Sequence, residues 1–215
     1  MRICALGRLC LVLAAFASSA GVAQERVPGS LLGPPPPREL EGRAAEAVLA
    51  TYIGCITRNQ RGKARRLLEL PYLDEAQQRA AREMMIPACL NRDARISFRP
   101  AHIIGRIAEF LFLERYAEAD VGRFAGLTDE AAAAMGLVPR NNAEDLALCT
   151  LRADPQAVRA LIGTRPDSTE EAAAVRRLVP RLGPCVVEGE TLDLNARALR
   201  LLLAVGLYRA AATAG

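Results

Sequence analysis

Apolar positions recur along most of this chain at helical spacing. Val48, Leu49, Tyr52 and Ile56 form one such set, Ile103, Ile107, Phe110 and Leu111 a second, and Leu199, Leu202, Leu203 and Leu207 a third. Spacings of three and four residues place each set on one helix face. The pattern predicts four helices in a first stretch: one from Glu41 through Cys55, one from about Arg61 to Leu70, one opening at Asp74-Glu-Ala-Gln77, and one opening at Pro100, where proline suits the first turn. A second stretch repeats the order, with Leu146 and Cys149 on the first helix and Pro155 to Ile162 as the next. A capping box follows at Ser168-Thr-Glu-Glu171, and Asn195 is the N-cap of the last helix. Pro71 and Pro166 are expected to close the second helices, and Pro87, or Pro180 with Pro184, the third ones. Between the stretches, Thr128-Asp-Glu130 caps a short Ala-rich helix ending near Gly136, and Pro139 to Asn142 reads as a turn. Ile96-Ser-Phe98 and Leu192-Asp-Leu194 read as short extended pieces, too brief to be stable strands alone and candidates to pair with each other.

The two stretches align. Cys55-Ile-Thr-Arg58 meets Cys149-Thr-Leu-Arg152, and Arg65-Arg-Leu-Leu68 meets Arg159-Ala-Leu-Ile162 without a gap. After a two-residue indel, Pro87-Ala-Cys89-Leu meets Gly183-Pro-Cys185-Val, and Ala108 through Phe112 meets Ala204 through Tyr208. Self-similarity of this kind marks a repeated supersecondary unit. The expected fold is all-α: an internally duplicated helical bundle of two four-helix units, each stapled by one disulfide. The units span residues 41–124 and 142–213, with a connector over 125–141.

The N-terminus follows another pattern. Arg2 and Arg8, an apolar run from Leu9 to Phe16, and small residues up to Gly21-Val-Ala23 read as a secretory signal peptide over 1–23. Residues 24–40, with Pro28 and the run Pro34 to Pro37, read as an extended linker. An exported chain changes the meaning of its cysteines. Cys4 and Cys10 leave with the signal, and the four that remain, Cys55, Cys89, Cys149 and Cys185, are expected to form two disulfides in an oxidising compartment. Three pairings are open. Duplication of a unit that folded alone selects Cys55 with Cys89 and Cys149 with Cys185, whereas cross-pairing requires a linked ancestor.

Charge sets limits on partners. Of 28 basic and 24 acidic residues, two arginines lie in the signal, which leaves +2, too little to imply nucleic acid. No segment after the signal is long and apolar enough to span a bilayer, since the Ile103–Leu113 and Leu199–Leu207 runs are short and carry Arg106, Glu109 or Arg200. Basic residues cluster once, as Arg58, Arg61, Lys63, Arg65 and Arg66, and these are the anion-binding candidates against a solvated helix face. The second repeat has only Arg152 and Arg159 there, so Arg65 and Arg159 read as structural and the other cations as peculiar to the first repeat.

No catalytic, cofactor or metal site is expected. Metalloprotease, nucleophile-elbow, phosphate-loop and dinucleotide motifs do not occur, and His102 is the sole histidine, which rules out a two-His metal site within one chain. His102 falls in the first turn of a helix, where the amide dipoles disfavour its protonated form. The acid pairs Asp129/Glu130 and Glu170/Glu171 stand at helix starts, where capping accounts for them.

Taken together, the signal peptide, Cys-x-x-Arg, Arg-x-Leu-Leu/Ile, the capped helix, the proline-associated second cysteine and the closing Leu207-Tyr-Arg209 resemble uncharacterised exported proteins of alphaproteobacteria. The resemblance implies an exported helical protein and supplies no activity. The reading that follows is a non-catalytic binding or scaffolding protein, periplasmic or secreted, with a protein or envelope partner. The alternatives are a peripheral binder of anionic membrane or envelope polymer through the basic helix, and a hydrolase with an unrecognised site.

Overall fold

The computed structural model describes residues 42–90, 99–186 and 194–213. The signal peptide, the Pro-rich linker and the two extended triplets, apart from Leu194, lie outside the described residues. Nine α-helices occur among the described residues, and no strand: α1 Gly42–Asn59, α2 Arg61–Glu69, α3 Glu75–Glu83, α4 Pro100–Arg115, α5 Asp129–Ala134, α6 Asn142–Ala153, α7 Pro155–Gly163, α8 Thr169–Leu182 and α9 Ala196–Thr213. Single 3-10 turns follow α3 and α8, at Pro87–Cys89 and Gly183–Cys185, and another lies at Val121–Phe124. None of these helices is long and apolar enough to cross a membrane.

The helix starts are set by short polar side chains. Asp74, Thr128, Asn141, Asp154 and Ser168 each accept a hydrogen bond from the backbone N–H three residues on, as Asn195 does from Ala198, satisfying amides that a helix leaves unpaired. Ahead of α3 and α8 the chain turns through the left-handed region at matching positions, Leu73 (φ 60°) and Asp167 (φ 56°). Both amides are then held by the residue that closes the cap: Leu73 N–H donates to Gln77 Oε1 at 2.7 Å, and Asp167 N–H to Glu171 Oε2 at 2.7 Å. One expectation fails. Pro180 does not end its helix but lies inside α8, which continues to Leu182. Standing in the last turn with an exposed ring, it deprives the carbonyl of Arg176, four residues back on the exposed side of α8, of its helical donor and leaves that carbonyl to water.

Each disulfide forms within one of the two stretches that the sequence alignment treats as repeats, Cys55–Cys89 with Cα atoms 5.8 Å apart and Cys149–Cys185 at 5.6 Å. Each ties the first helix of its repeat to the 3-10 turn behind the third. The order α1–α4 recurs as α6–α9, yet the two sets share one hydrophobic core. At its centre the closing helices α4 and α9 pack on each other more extensively than any other pair. Gly105 permits this approach, because a Cβ there would sit 2.8 Å from the Leu201 Cα. Gly206 does the same toward α6, where a Cβ would lie 2.9 Å from that of Ala147. Ile104, Ile107, Leu203 and Leu207 are fully enclosed as a result, each contributing about 1.5–3 kcal/mol.

Candidate functional site

The sequence-predicted basic cluster is on the surface. Arg58, Arg61, Lys63, Arg65 and Arg66 are all exposed, while Ala64, Leu67 and Leu68 form the buried side of α2. Arg58 stacks 5.5 Å above the Phe110 ring, and Arg61 reaches Glu114 on α4 at 2.7 Å. The expected equivalence of Arg65 and Arg159 does not hold. Arg159 is half-buried and donates to the Ala119 carbonyl at 3.2 Å, whereas Arg65 is exposed.

A second polar site is interior and was not anticipated from the sequence. Arg200 on α9 is 1% exposed. Its Nε and Nη2 grip the two carboxylate oxygens of Glu109 on α4 at 3.2 and 2.7 Å, the bidentate geometry of a strong pair. The same guanidinium donates to Glu171 Oε1 on α8 at 3.2 Å and to the carbonyls of Leu161, Ile162 and Thr164 at 2.8–2.9 Å. A cation at these carbonyls complements the negative end of α7. From Glu109 the chain of charge runs outward: Arg106 holds Glu109 at 2.9 Å and Glu46 on α1 at 2.9 Å, and Arg197 bridges Glu46 at 3.2 Å to Asp167 at 3.0 Å. Burial pulls the Arg200 guanidinium toward deprotonation, but Glu109 and Glu171 outweigh it and hold the charge more firmly than in water.

His102 lines the mouth of this network with Glu46, Arg106, Asp167 and Arg197. The space between them is about 20 Å³, room for roughly one water. Burial is the main cause that lowers the His102 pKa below 6.5, and Arg197, Arg99 and Arg106 act in the same direction against the pull of Glu46. The imidazole is therefore neutral at pH 7, in the sense expected for a first-turn histidine.

A smaller cluster ties the turn after α2 to the second repeat. Glu144 accepts from the Tyr72 and Arg140 amides, both at 2.8 Å, from Arg140 Nη2 at 2.7 Å and from Arg209 Nη1 at 2.8 Å. Burial alone would raise its carboxyl, but these donors, Arg140 foremost, hold it down at about 2. Arg140 also donates to the Glu69 and Leu70 carbonyls at the end of α2. No group of acids, histidines or cysteines suited to a metal ion occurs among the described residues. The acid pairs are helix-start residues, as expected: Asp129 and Glu130 open α5, and Glu170 and Glu171 open α8. The chain matches no protein-family model, curated protein or solved structure.

Proposed function

We propose that this chain is an exported, non-catalytic protein of the periplasm that acts by binding or scaffolding, its stapled helical body carrying an outward recognition surface. The interior charge network carries the reading. Glu46, Arg106, Glu109, Arg200 and Glu171 are engaged with one another and tie α1, α4, α8 and α9 together. A group that works on a substrate must exchange a proton or a partner with it, and these groups are committed to holding helices. Two disulfides fit an oxidising compartment, in line with the signal-like N-terminus and the resemblance to exported alphaproteobacterial proteins.

Osmotic-shock fractionation with thiol blocking tests the export step: the chain is expected in the periplasmic fraction with all four cysteines unreactive until reduced. Reduced thiols in a cytosolic fraction would overturn it. A panel of ester, phosphoester and glycoside substrates tests the rest. Turnover by the wild type that disappears in a folded His102→Gln variant would replace this reading with a hydrolase. A second reading, a peripheral binder of anionic surfaces, is favoured by one observation, the exposure of all five cations between Arg58 and Arg66.

A further inference from the structure

The two repeats supply an internal comparison. α2 and α7 hold equivalent places, each following the first cysteine-bearing helix and burying matched pairs, Leu67/Leu68 and Leu161/Ile162. α7 opens on an Asp154 cap and Pro155, and its one arginine is spent on the Ala119 carbonyl. α2 opens on Arg61, Gly62 and Lys63 with no acid in its first turn, and Gln60 gives it no side-chain cap because its amide donates to the Met84 carbonyl at 2.7 Å. Cations at the positive end of a helix oppose its dipole. Arg61 is held by Glu114 on α4, whereas Lys63 and Arg66 have no counterpart in α7 and no ion pair among the described residues.

Their direction and neighbours suggest what they meet. Arg66 stands opposite the buried Ala64, Leu67 and Leu68, with Arg65 and Lys63 on the two flanks of that exposed side. Beside them runs one face of α4, because Arg58 lies over Phe110 and Arg61 binds Glu114. Leu113, three residues from Phe110 and so on that same face, is 44% exposed. Exposed cations flanked by an exposed leucine match the two-part surface of a membrane interface, headgroup charge above and acyl chain below. A dissolved polyanion offers Leu113 nothing. We infer that the face formed by Arg58, Lys63, Arg65, Arg66 and Leu113 docks on an anionic lipid membrane, deepening the second reading given above.

The test is sedimentation of the purified, oxidised protein with vesicles of phosphatidylglycerol and phosphatidylcholine in equal parts, against pure phosphatidylcholine, at low and high salt. The wild type is expected to sediment only with the anionic vesicles and to be released by salt. Each cation at such a surface contributes about five-fold in partitioning, so Lys63→Gln/Arg65→Gln/Arg66→Gln should lose on the order of one hundred-fold. The charge-matched control Arg165→Gln/Arg176→Gln/Arg177→Gln, all exposed on the second repeat, should retain binding, and Leu113→Ser should weaken it. Circular dichroism and blocked thiols establish that each variant is folded. No wild-type sedimentation overturns the inference and leaves an exported, oxidised scaffold standing. Equal losses in both triple variants overturn it in favour of net charge alone. Retention on an anionic polysaccharide matrix, indifferent to Leu113→Ser and without vesicle binding, overturns it in favour of an envelope polymer.

Discussion

Arg200→Met removes the guanidinium at the centre of the interior network while keeping an unbranched apolar side chain of similar reach. Glu109 would keep Arg106, and Glu171 would keep the Asp167 amide. Both would still lose their most buried partner, and the Leu161, Ile162 and Thr164 carbonyls would lose a donor. Breaking one side of a buried ion pair costs about 3–5 kcal/mol, because a desolvated charge is left uncompensated. That is a large share of a total stability of about 5–15 kcal/mol, and at this chain length it lowers Tm by roughly 10 °C. Urea and thermal unfolding of the oxidised protein measure it. Adding Glu109→Gln to Arg200→Met should recover part of the loss, since an unpaired amide is cheaper to bury than an unpaired carboxylate. A loss below about 1 kcal/mol for the single variant, no more than one ordinary hydrogen bond, would refute the claim that this pair organises the interior.

Four further outcomes are expected. Replacing Cys149 and Cys185 with alanine opens a loop of 36 residues and should cost roughly 4 kcal/mol by chain entropy, read from denaturant midpoints; an unchanged midpoint would remove the bridge from the stability of the second repeat. Arg61→Gln/Arg65→Gln should change stability by no more than about 1 kcal/mol, both residues being exposed and the Arg61–Glu114 pair lying in water, and a loss above about 2 kcal/mol in the same unfolding assay would show that these side chains hold α2 in place. The Glu144 carboxyl, held at about 2 when folded against 4.5 unfolded, contributes about 3 kcal/mol that is fully present above pH 4.5 and is lost as pH falls through 2; Glu144→Gln should flatten the acid limb of the stability curve, and an unaltered limb would count against the assignment. Gly105→Ala should destabilise by about 1–3 kcal/mol through overpacking against the Leu201 backbone, and a neutral result in calorimetry would mean that α4 and α9 separate without cost.

The features legible in the sequence were those decided within a few residues. Asp74, Thr128, Ser168 and Asn195 announced their helices because a cap needs only itself and the amide three positions on. The disulfides were legible for a different reason: the repeat alignment assigned each cysteine a partner before any geometry was known. Pro180 misled because the carbonyl it deprives, that of Arg176, lies on the exposed side of α8, where water satisfies it. The interior network was hidden. Its members come from α1, α4, α8 and α9 and span Glu46 to Arg200, so no local window contains it. In the sequence, Arg106, Glu109 and Arg200 served only to show that the Ile-rich and Leu-rich runs cannot cross a bilayer. Their signal was a charge flanked on both sides by core residues, which a water-facing stripe does not explain.

The two repeats solve the same local problem with different donors, and the difference binds them together. In each, the second helix ends in carbonyls that need partners. Gln77, from within the first repeat, reaches the Leu67 and Leu70 carbonyls at 3.1 and 3.3 Å, and Arg140, from beyond it, reaches those of Glu69 and Leu70. In the second repeat the residue aligned with Gln77 is Glu171, which has no donor to offer, and Arg200 supplies the hydrogen bonds instead. A carboxylate at that position requires a cation, the cation is enclosed where α9 meets α4, and its remaining Nε and Nη2 donors are taken up by Glu109 on α4. An acid at one cap, where the other has an amide, is thus accompanied by a tie between the halves through the donors of Arg200. Glu144 makes a converse tie, accepting the Tyr72 amide of the first repeat while Arg209 balances it from α9. Separating the halves at residues 125–141 would strip Glu109 of Arg200 and the Tyr72 amide of Glu144. The helices on either side of the connector therefore share one core and two polar ties.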